Sequence, residues 1–211
     1  MASRLDNLFK TLNWGNFSRR SVTPSPGQRI HVALTSVFIN PTLPQPTIIP
    51  VPGSRPTVYQ LNDSVVVKVE FDPAGSWVSD WVFTQSQAFQ DQLLNHEQGH
   101  YNLTALVARD LFVDLMLLKG RTFRTSSEGI NAIRPIIAPL QTTPHISQRI
   151  SNLYDSNNET KNGYDQTAQQ RWDGYIRTAF NTARSSGTMA PGGVAHKVRI
   201  VDVLRNAGKR P

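Results

Sequence analysis

The chain has 211 residues, which suits one domain, and its 38% hydrophobic content is low but sufficient for a core. It contains no cysteine, which excludes disulfides, thiolate metal ligands and a cysteine nucleophile. The formal net charge of +7 suits a soluble protein and is also compatible with an anionic partner such as nucleic acid or an envelope polymer. No aromatic residues alternate with the basic ones at residues 197–210, which argues against a stacking surface for single-stranded nucleic acid.

The N-terminal segment lacks the continuous apolar stretch of a signal peptide. No apolar run approaches the ~20 residues that a membrane-spanning helix needs. We therefore expect no membrane span, and a protein that is cytoplasmic or exported by a non-standard route. Residues 1–28 are polar with isolated apolar positions, and they could form an N-terminal extension with a short amphipathic helix near residues 4–12.

Alternation of apolar and polar residues predicts strands in the first half of the chain. Residues 29–40, 57–61 and 64–71 follow this pattern. One apolar and one polar face in the last of these segments is typical of an antiparallel sheet with one side exposed to water. Six prolines in residues 41–56 predict a loop between the strands.

The clearest predicted element is a long central helix. Thr84 and Gln87 resemble a capping box at its start, and Lys119-Gly120 is a typical stop signal. After a stretch interrupted by prolines, a second helix is predicted over residues 166–184 and a last strand over residues 196–204. We therefore predict α+β architecture, with a mainly antiparallel sheet packed against the long helix and a C-terminal helix behind it.

The central helix carries the sequence His96-Glu97-Gln98-Gly99-His100. His96 and His100 lie on one face on successive turns, a spacing at which two imidazoles can bind one Zn²⁺. Glu97 lies where it can act as a general base on a metal-activated water. The motif predicts a zinc metallopeptidase of the zincin type that acts on a peptide or protein. Gly99 is unfavourable in a helix by ~1 kcal/mol relative to alanine, so we expect another segment to pass close to it.

A catalytic zinc site needs a third protein ligand. Asp110 and Asp114 are too distant, because they lie about 15–21 Å along the helix axis from His100. Seven candidates remain in the second half of the chain: Glu128, His145, Asp155, Glu159, Asp165, Asp173 and His196.

Two alternatives to an active peptidase remain open. A protein that has lost its third ligand would be a catalytically inactive zinc-binding or scaffold protein. The second alternative is a basic protein that binds nucleic acid or an envelope polymer. Only the positive charge supports this alternative, and the affinity for such a polymer would fall steeply with salt concentration.

Four segments share their pattern with one known family: Leu12-Asn13-Trp14-Gly15-Asn16-Phe17, Ser76-Trp77-Val78, Leu93 through Tyr101, and Tyr154-Asp155 with Thr160, Gly163, Gln169 and Trp172. Through them the chain resembles a bacterial family of zinc-dependent proteases of unknown function that carry a His-Glu-Gln-x-His signature. The family patterns are Leu-x-Trp-x-x-Phe, Ser-Trp-Val, the signature itself, and a downstream Tyr-Asp-x-x-Thr-x-His-Gly block followed by Gln-x-x-Trp.

The resemblance favours Asp155 as the third metal ligand, with Glu159 as the second choice. A carboxylate beside two histidines leaves the fourth zinc position open for water. The chain departs from the family pattern at Asn162, where the family has a histidine, and by two additional residues between Asp155 and Thr160.

Three aromatic residues of the matching region also receive expected roles. Trp172 is expected to anchor the C-terminal helix in the core against the zinc helix. Tyr154 and Tyr164 could stabilise an oxyanion, although packing is the commoner role of such residues. On this interpretation residues 1–211 form a single zincin-like metallopeptidase domain.

Overall fold

The computed structural model describes residues 2–25, 31–181 and 198–211. It confirms mixed α+β architecture. Within these ranges the elements are β1 Arg4–Asp6, β2 Ser18–Arg20, β3 Ala33–Leu34, β4 Val37–Thr42, β5 Ile48–Pro50, β6 Tyr59–Leu61, β7 Val66–Phe71, β8 Trp77–Ser79, α1 Gln87–Met116, α2 Ser126–Gln141, α3 Ile146–Asp155, α4 Gln166–Asn181 and α5 Ile200–Asn206.

The described strands form three small sheets, where the sequence had predicted one mainly antiparallel sheet. In the first, β7 pairs with β1 in parallel and with β4 antiparallel. In the second, β8 pairs with β2 in parallel and with β3 antiparallel, and β5 and β6 form an antiparallel pair of their own. The parallel partners come from the N-terminal segment over long connections, which local alternation cannot reveal.

The described part of the N-terminal segment is integrated into the fold. Its strands β1 and β2 pair with β7 and β8, and Leu12 and Phe17 are buried in the core. The predicted helix near residues 4–12 is wrong, because Arg4–Asp6 is a strand and an irregular segment follows it. The side chain of Gln98 on α1 holds that segment by accepting a bond from the Leu12 amide at 2.7 Å and donating one to the Lys10 carbonyl.

The proline-rich segment is only partly a loop. Pro41 lies in β4 and Pro50 in β5, both at sheet edges, where a residue without an N–H is tolerated. The strand predicted over residues 29–40 is interrupted between β3 and β4 by Thr35 and Ser36. Its first two residues lie outside the described ranges.

Helix α1 is the longest element, at 30 residues, and it confirms the predicted central helix. It begins two residues later than the predicted capping box requires, because the Ser86 hydroxyl accepts the bond from the Phe89 amide. It ends near the predicted stop signal, where Gly120 has a φ of +79°. No helix in the described part of the chain is long and apolar enough to cross a bilayer.

Two buried clusters lie against α1. The first joins α1 to the strands and to α2, and includes Val67, Val69 and Leu115. The second joins α1 to α3, α4 and α5, and includes Leu106 and Trp172. The expected role of Trp172 as a core residue of the C-terminal helix is therefore confirmed.

The structure differs from the prediction at three of the later helices, because α2 and α3 both fall in the proline-interrupted stretch where no element is predicted and α5 replaces a predicted strand. Helix α2 was hidden by Pro135 and Pro139, although Gly129 and Ile133 fall on its buried side at helical spacing. The strand predicted over residues 196–204 is wrong, because its described part forms α5. Ile200, Val203 and Leu204 are buried together there, which is the periodicity of a helix. Residues 182–184 of the predicted second helix and residues 196–197 lie outside the described ranges.

Candidate metal centre

Three side chains converge between α1 and the end of α3. Nε2 of His96 and Nε2 of His100 lie 3.2 Å apart. Oδ1 of Asp155, the last residue of α3, lies 3.0 Å from each of these nitrogens. The structure thus brings together the two histidines of the motif and the carboxylate that the resemblance favoured, as one group that could hold a metal ion.

The spacing of these three atoms fits a small divalent cation. Ligand atoms ~2.0–2.2 Å from a tetrahedral zinc ion are ~3.4 Å from one another. The observed separations of 3.0 to 3.2 Å are slightly shorter. Three protein ligands also leave the fourth position open, as a catalytic zinc site requires.

The hydrogen bonds around His96 show which of its ring nitrogens is free to bind a metal. Oε1 of Gln169 accepts a bond from the Tyr154 hydroxyl at 2.8 Å, while Nε2 of Gln169 donates to Asp173 at 2.8 Å. The amide orientation of Gln169 is therefore set, and Nδ1 of His96, 3.1 Å from the same Oε1, must donate. Nε2 of a neutral His96 consequently presents a lone pair towards His100 and Asp155.

His100 is held in a similar way. Its Nδ1 lies 3.3 Å from the Ser151 hydroxyl, which leaves Nε2 on the side of His96 and Asp155. Burial disfavours the charged ring, but the Asp155 carboxylate outweighs burial and raises the pKa of His100. The surroundings of His100 therefore favour a positive charge, either as a proton on its ring or as a metal ion between His96, His100 and Asp155.

The Asp155 carboxylate oxygen that faces the two histidines is shielded from water. This atom, Oδ1, has no well-directed hydrogen bond, although both imidazoles lie within 3.0 Å. Burial alone would raise the pKa of Asp155, but His100 and His96 hold it well below its ordinary value. A carboxylate oxygen that is shielded from water and faces two ring nitrogens could serve as one ligand of a bound cation.

Glu97 is buried beside this group without joining it. Oε2 of Glu97 accepts a hydrogen bond from the Thr35 hydroxyl at 2.7 Å. In the described part of the chain Oε1 has no such partner. One small pocket of about 10 Å³ is lined by His96, Glu97, His100, Asp155 and Asn162, so the Glu97 carboxylate borders the same enclosed space as the two histidines.

Tyr154 explains the glycine inside the motif. Its ring stacks on His96 with the centroids 4.5 Å apart, and its hydroxyl occupies the place of the Cβ that Gly99 lacks. The expectation that another segment passes close to Gly99 is therefore confirmed. Burial raises the pKa of Tyr154 well above its ordinary value, so the hydroxyl stays a neutral donor to Gln169. Tyr154 is a packing and positioning residue here.

The loop after α3 covers the other side of His96. Lys161, Asn162 and Gly163 all have positive φ, and the Gly163 carbonyl accepts a bond from Gln92 at 2.7 Å. A Cβ at Gly163 would lie 2.9 Å from the ring of His96, so only glycine fits there without displacement. This loop places Asn162 in the pocket.

The remaining candidates for the third ligand lie elsewhere or hold other bonds. Glu159 is buried away from the site, where it accepts the indole N–H of Trp172 at 3.0 Å and pairs with Lys209. His196 lies outside the described residues. The other four do not belong to the group that faces the two histidines, and each has a neighbour of its own: Glu128 bonds Arg124, His145 bonds Gln148 through Nδ1, Asp165 bonds Ala168, and Asp173 bonds Gln169 and Asn95.

Thr35, Ser151 and Gln169 contact the site residues directly, yet the sequence did not identify a role for them. Gln169 is part of the family pattern, which assigns it no role, and Thr35 and Ser151 belong to no recognisable pattern. Each acts on a residue more than 50 positions away along the chain. Only the packing of β3, α3 and α4 around α1 reveals these contacts.

A Gly99→Ala substitution is expected to destabilise the protein by about 1–3 kcal/mol, because the new methyl group overlaps the buried Tyr154 hydroxyl. Urea unfolding of the metal-free protein measures this change. Gly174→Ala on α4 is the matched control, since its Cβ would meet no atom within 4 Å and alanine favours the helix by up to ~1 kcal/mol. Equal stabilisation by both substitutions would contradict the packing of Tyr154 on the motif.

Comparison with known proteins returned no match: no family model, no curated protein and no solved structure is similar to this chain. The resemblance to the zinc-dependent proteases therefore stays a prediction, and the geometry of the site has to support any functional proposal.

Proposed function

We propose that this chain is a zincin-like metallopeptidase domain that binds Zn²⁺ through His96, His100 and Asp155 and hydrolyses peptide bonds. One observation carries the proposal. Nε2 of His96, Nε2 of His100 and a buried carboxylate oxygen of Asp155 lie within 3.2 Å of one another. Glu97, which can accept and donate a proton, lies beside them. Structural zinc sites are usually closed by four protein ligands, whereas an open position supports catalysis.

Bound zinc would supply Lewis-acid chemistry, polarising a substrate carbonyl and making a water more acidic. The protein supplies the proton transfer. Oε2 of Glu97 is held by Thr35, which orients the carboxylate and leaves Oε1 to accept the proton of the attacking water. Glu97 then returns this proton to the nitrogen of the departing amine.

The surroundings of the site support a peptide as the substrate. An open cleft of about 260 Å³ adjoins the metal centre and includes His100 and Asp155 in its lining. The rest of the lining comes from residues 34–38 around the start of β4, from Thr104 on α1, from His145 and from the first turns of α3. A cleft that extends beyond the metal ligands can bind a chain on one side of the bond to be cleaved.

Metal analysis combined with digestion of a peptide library tests the proposal. The purified protein should contain about one zinc ion per chain, lose cleavage on treatment with a chelator, and recover it when zinc is restored. Stoichiometric zinc without cleavage would indicate the inactive zinc-binding protein instead. Absence of zinc uptake, together with salt-sensitive binding to an anionic polymer, would overturn the proposal in favour of a basic polymer-binding protein.

A further inference from the structure

We propose that the cleft binds an extended, uncharged peptide segment several residues from the cleaved bond, and that Nε2–H of His145 donates a hydrogen bond to a backbone carbonyl of that segment. This inference rests on the proposed peptidase function and names the part of the substrate that the cleft recognises. Three observations carry it: the hydrogen bonds to Nδ1 of His145, the position of this residue in the cleft, and the chemistry of the other lining residues.

The hydrogen bonds of His145 determine where its proton lies. His145 caps the N-terminus of α3, and its Nδ1 accepts the backbone N–H of Gln148 at 3.2 Å. A backbone N–H can only donate, so Nδ1 is unprotonated and the neutral ring carries its hydrogen on Nε2. The Ser147 hydroxyl, 2.9 Å from the same Nδ1, is compatible with this tautomer. His145 is thus a pre-set hydrogen-bond donor.

The donor lies in the cleft but away from the metal. His145 lines the same 260 Å³ cleft as His100 and Asp155, and in the described part of the chain its Nε2 has no partner. His145 precedes α3 and Asp155 ends it, a separation of about 15 Å along the helix at 1.5 Å per residue. An extended peptide advances ~3.3 Å per residue, so His145 would meet the substrate about three to five residues from the metal.

The other lining residues indicate what kind of segment fits. Among the described residues that line the cleft there is no lysine, arginine or glutamate, and Asp155 at the metal end is the one carboxylate. Leu34 and Phe38, both in the lining, are exposed at 43% and 52%, which is unusual for large apolar side chains. Apolar side chains of a substrate would cover them, while the exposed side chains of Gln148 and Asn152 offer further hydrogen bonds to a peptide backbone.

His145→Asn tests the inference with little disturbance of the fold. Asparagine can still accept the Gln148 amide as a helix cap, but it lacks the Nε2 donor. We expect the ratio of kcat/KM for a quenched, uncharged apolar octapeptide to that for a dipeptide amide to fall about two- to tenfold, mainly through KM. His145→Ala should lower the same ratio and also lower the melting temperature, because it removes the cap as well.

Two readouts separate this inference from the proposed function. The zinc content of His145→Asn should equal that of the wild type, and ¹⁵N-resolved NMR of the histidine rings should show His145 protonated at Nε2 in the metal-free and zinc-loaded proteins. Cleavage by the wild type with an unchanged octapeptide-to-dipeptide ratio in the variant would overturn only the role of His145. A zinc-loaded wild type that cleaves neither substrate would overturn both proposals.

Discussion

Glu97→Gln protein is expected to bind zinc as tightly as the wild type and to cleave peptides about 10²–10⁴-fold more slowly. The glutamine amide has the shape of the carboxylate and can still accept the Thr35 hydroxyl, so the packing of the pocket is retained. It cannot take a proton from water, which is the step assigned to Oε1. Metal content by mass spectrometry and initial rates on a quenched peptide measure the two properties separately.

Glu128→Gln is the matched control for this substitution. Glu128 is an exposed residue in the first turn of α2, where it bonds the Arg124 amide at 2.8 Å, and it lies outside the metal centre. The same chemical change at this position should leave both zinc content and turnover close to the wild-type values. Wild-type turnover in Glu97→Gln would show that Glu97 is not the base, even if zinc is bound.

Asp155→Asn is expected to weaken zinc binding by more than about 100-fold. Loss of a residue that merely orients a metal ligand typically lowers metal affinity 10- to 100-fold, so loss of a charged ligand should exceed that range. Asparagine keeps the volume of Asp155 but removes the negative charge that faces His96 and His100 at 3.0 Å. Competition with a zinc chelator of known affinity measures the change.

The control for Asp155→Asn is Asp165→Asn, which neutralises another carboxylate of the same region. Asp165 accepts the Ala168 amide at 3.0 Å and contacts Lys161, and it is not among the groups that face the two histidines. The zinc affinity of the Asp165→Asn protein should match that of the wild type. Unchanged zinc affinity in Asp155→Asn would exclude Asp155 as a ligand and leave a third donor to be found.

Predictions from the sequence were most accurate where the site residues and the secondary structure depend on the same neighbouring positions. The long helix was predictable because its apolar positions recur at helical spacing, and that same spacing placed His96 and His100 on successive turns. The penalty for Gly99 within a helix correctly indicated close packing, although not that Tyr154 would be the neighbour. These features depend on residues within a few positions of one another.

The secondary-structure predictions were wrong where contacts with distant segments decide the conformation of a short segment. Residues 4–6 form a strand because β7 lies alongside them, although their pattern suggested a helix. Residues 200–206 form a helix whose apolar residues at helical spacing pack against α1, and the Ile200 amide donates to Asp110 at 2.9 Å. Short segments have weak intrinsic preferences, so tertiary contacts decide their conformation.

The amino-acid sequence by itself determined the pair of histidines on one helix face, the neighbouring Glu97 and the α+β class, because each follows from composition or from short-range periodicity. The structure describes six of the seven candidate residues, and only its tertiary arrangement decided that Asp155 is the one of these that meets the two histidines. Asp155 lies 55 residues after His100, and its position depends on how α3 packs across α1, with the Tyr154 ring against Gly99 and His96. A long-range contact of this kind follows from the shape of the core, which no local pattern of residues encodes.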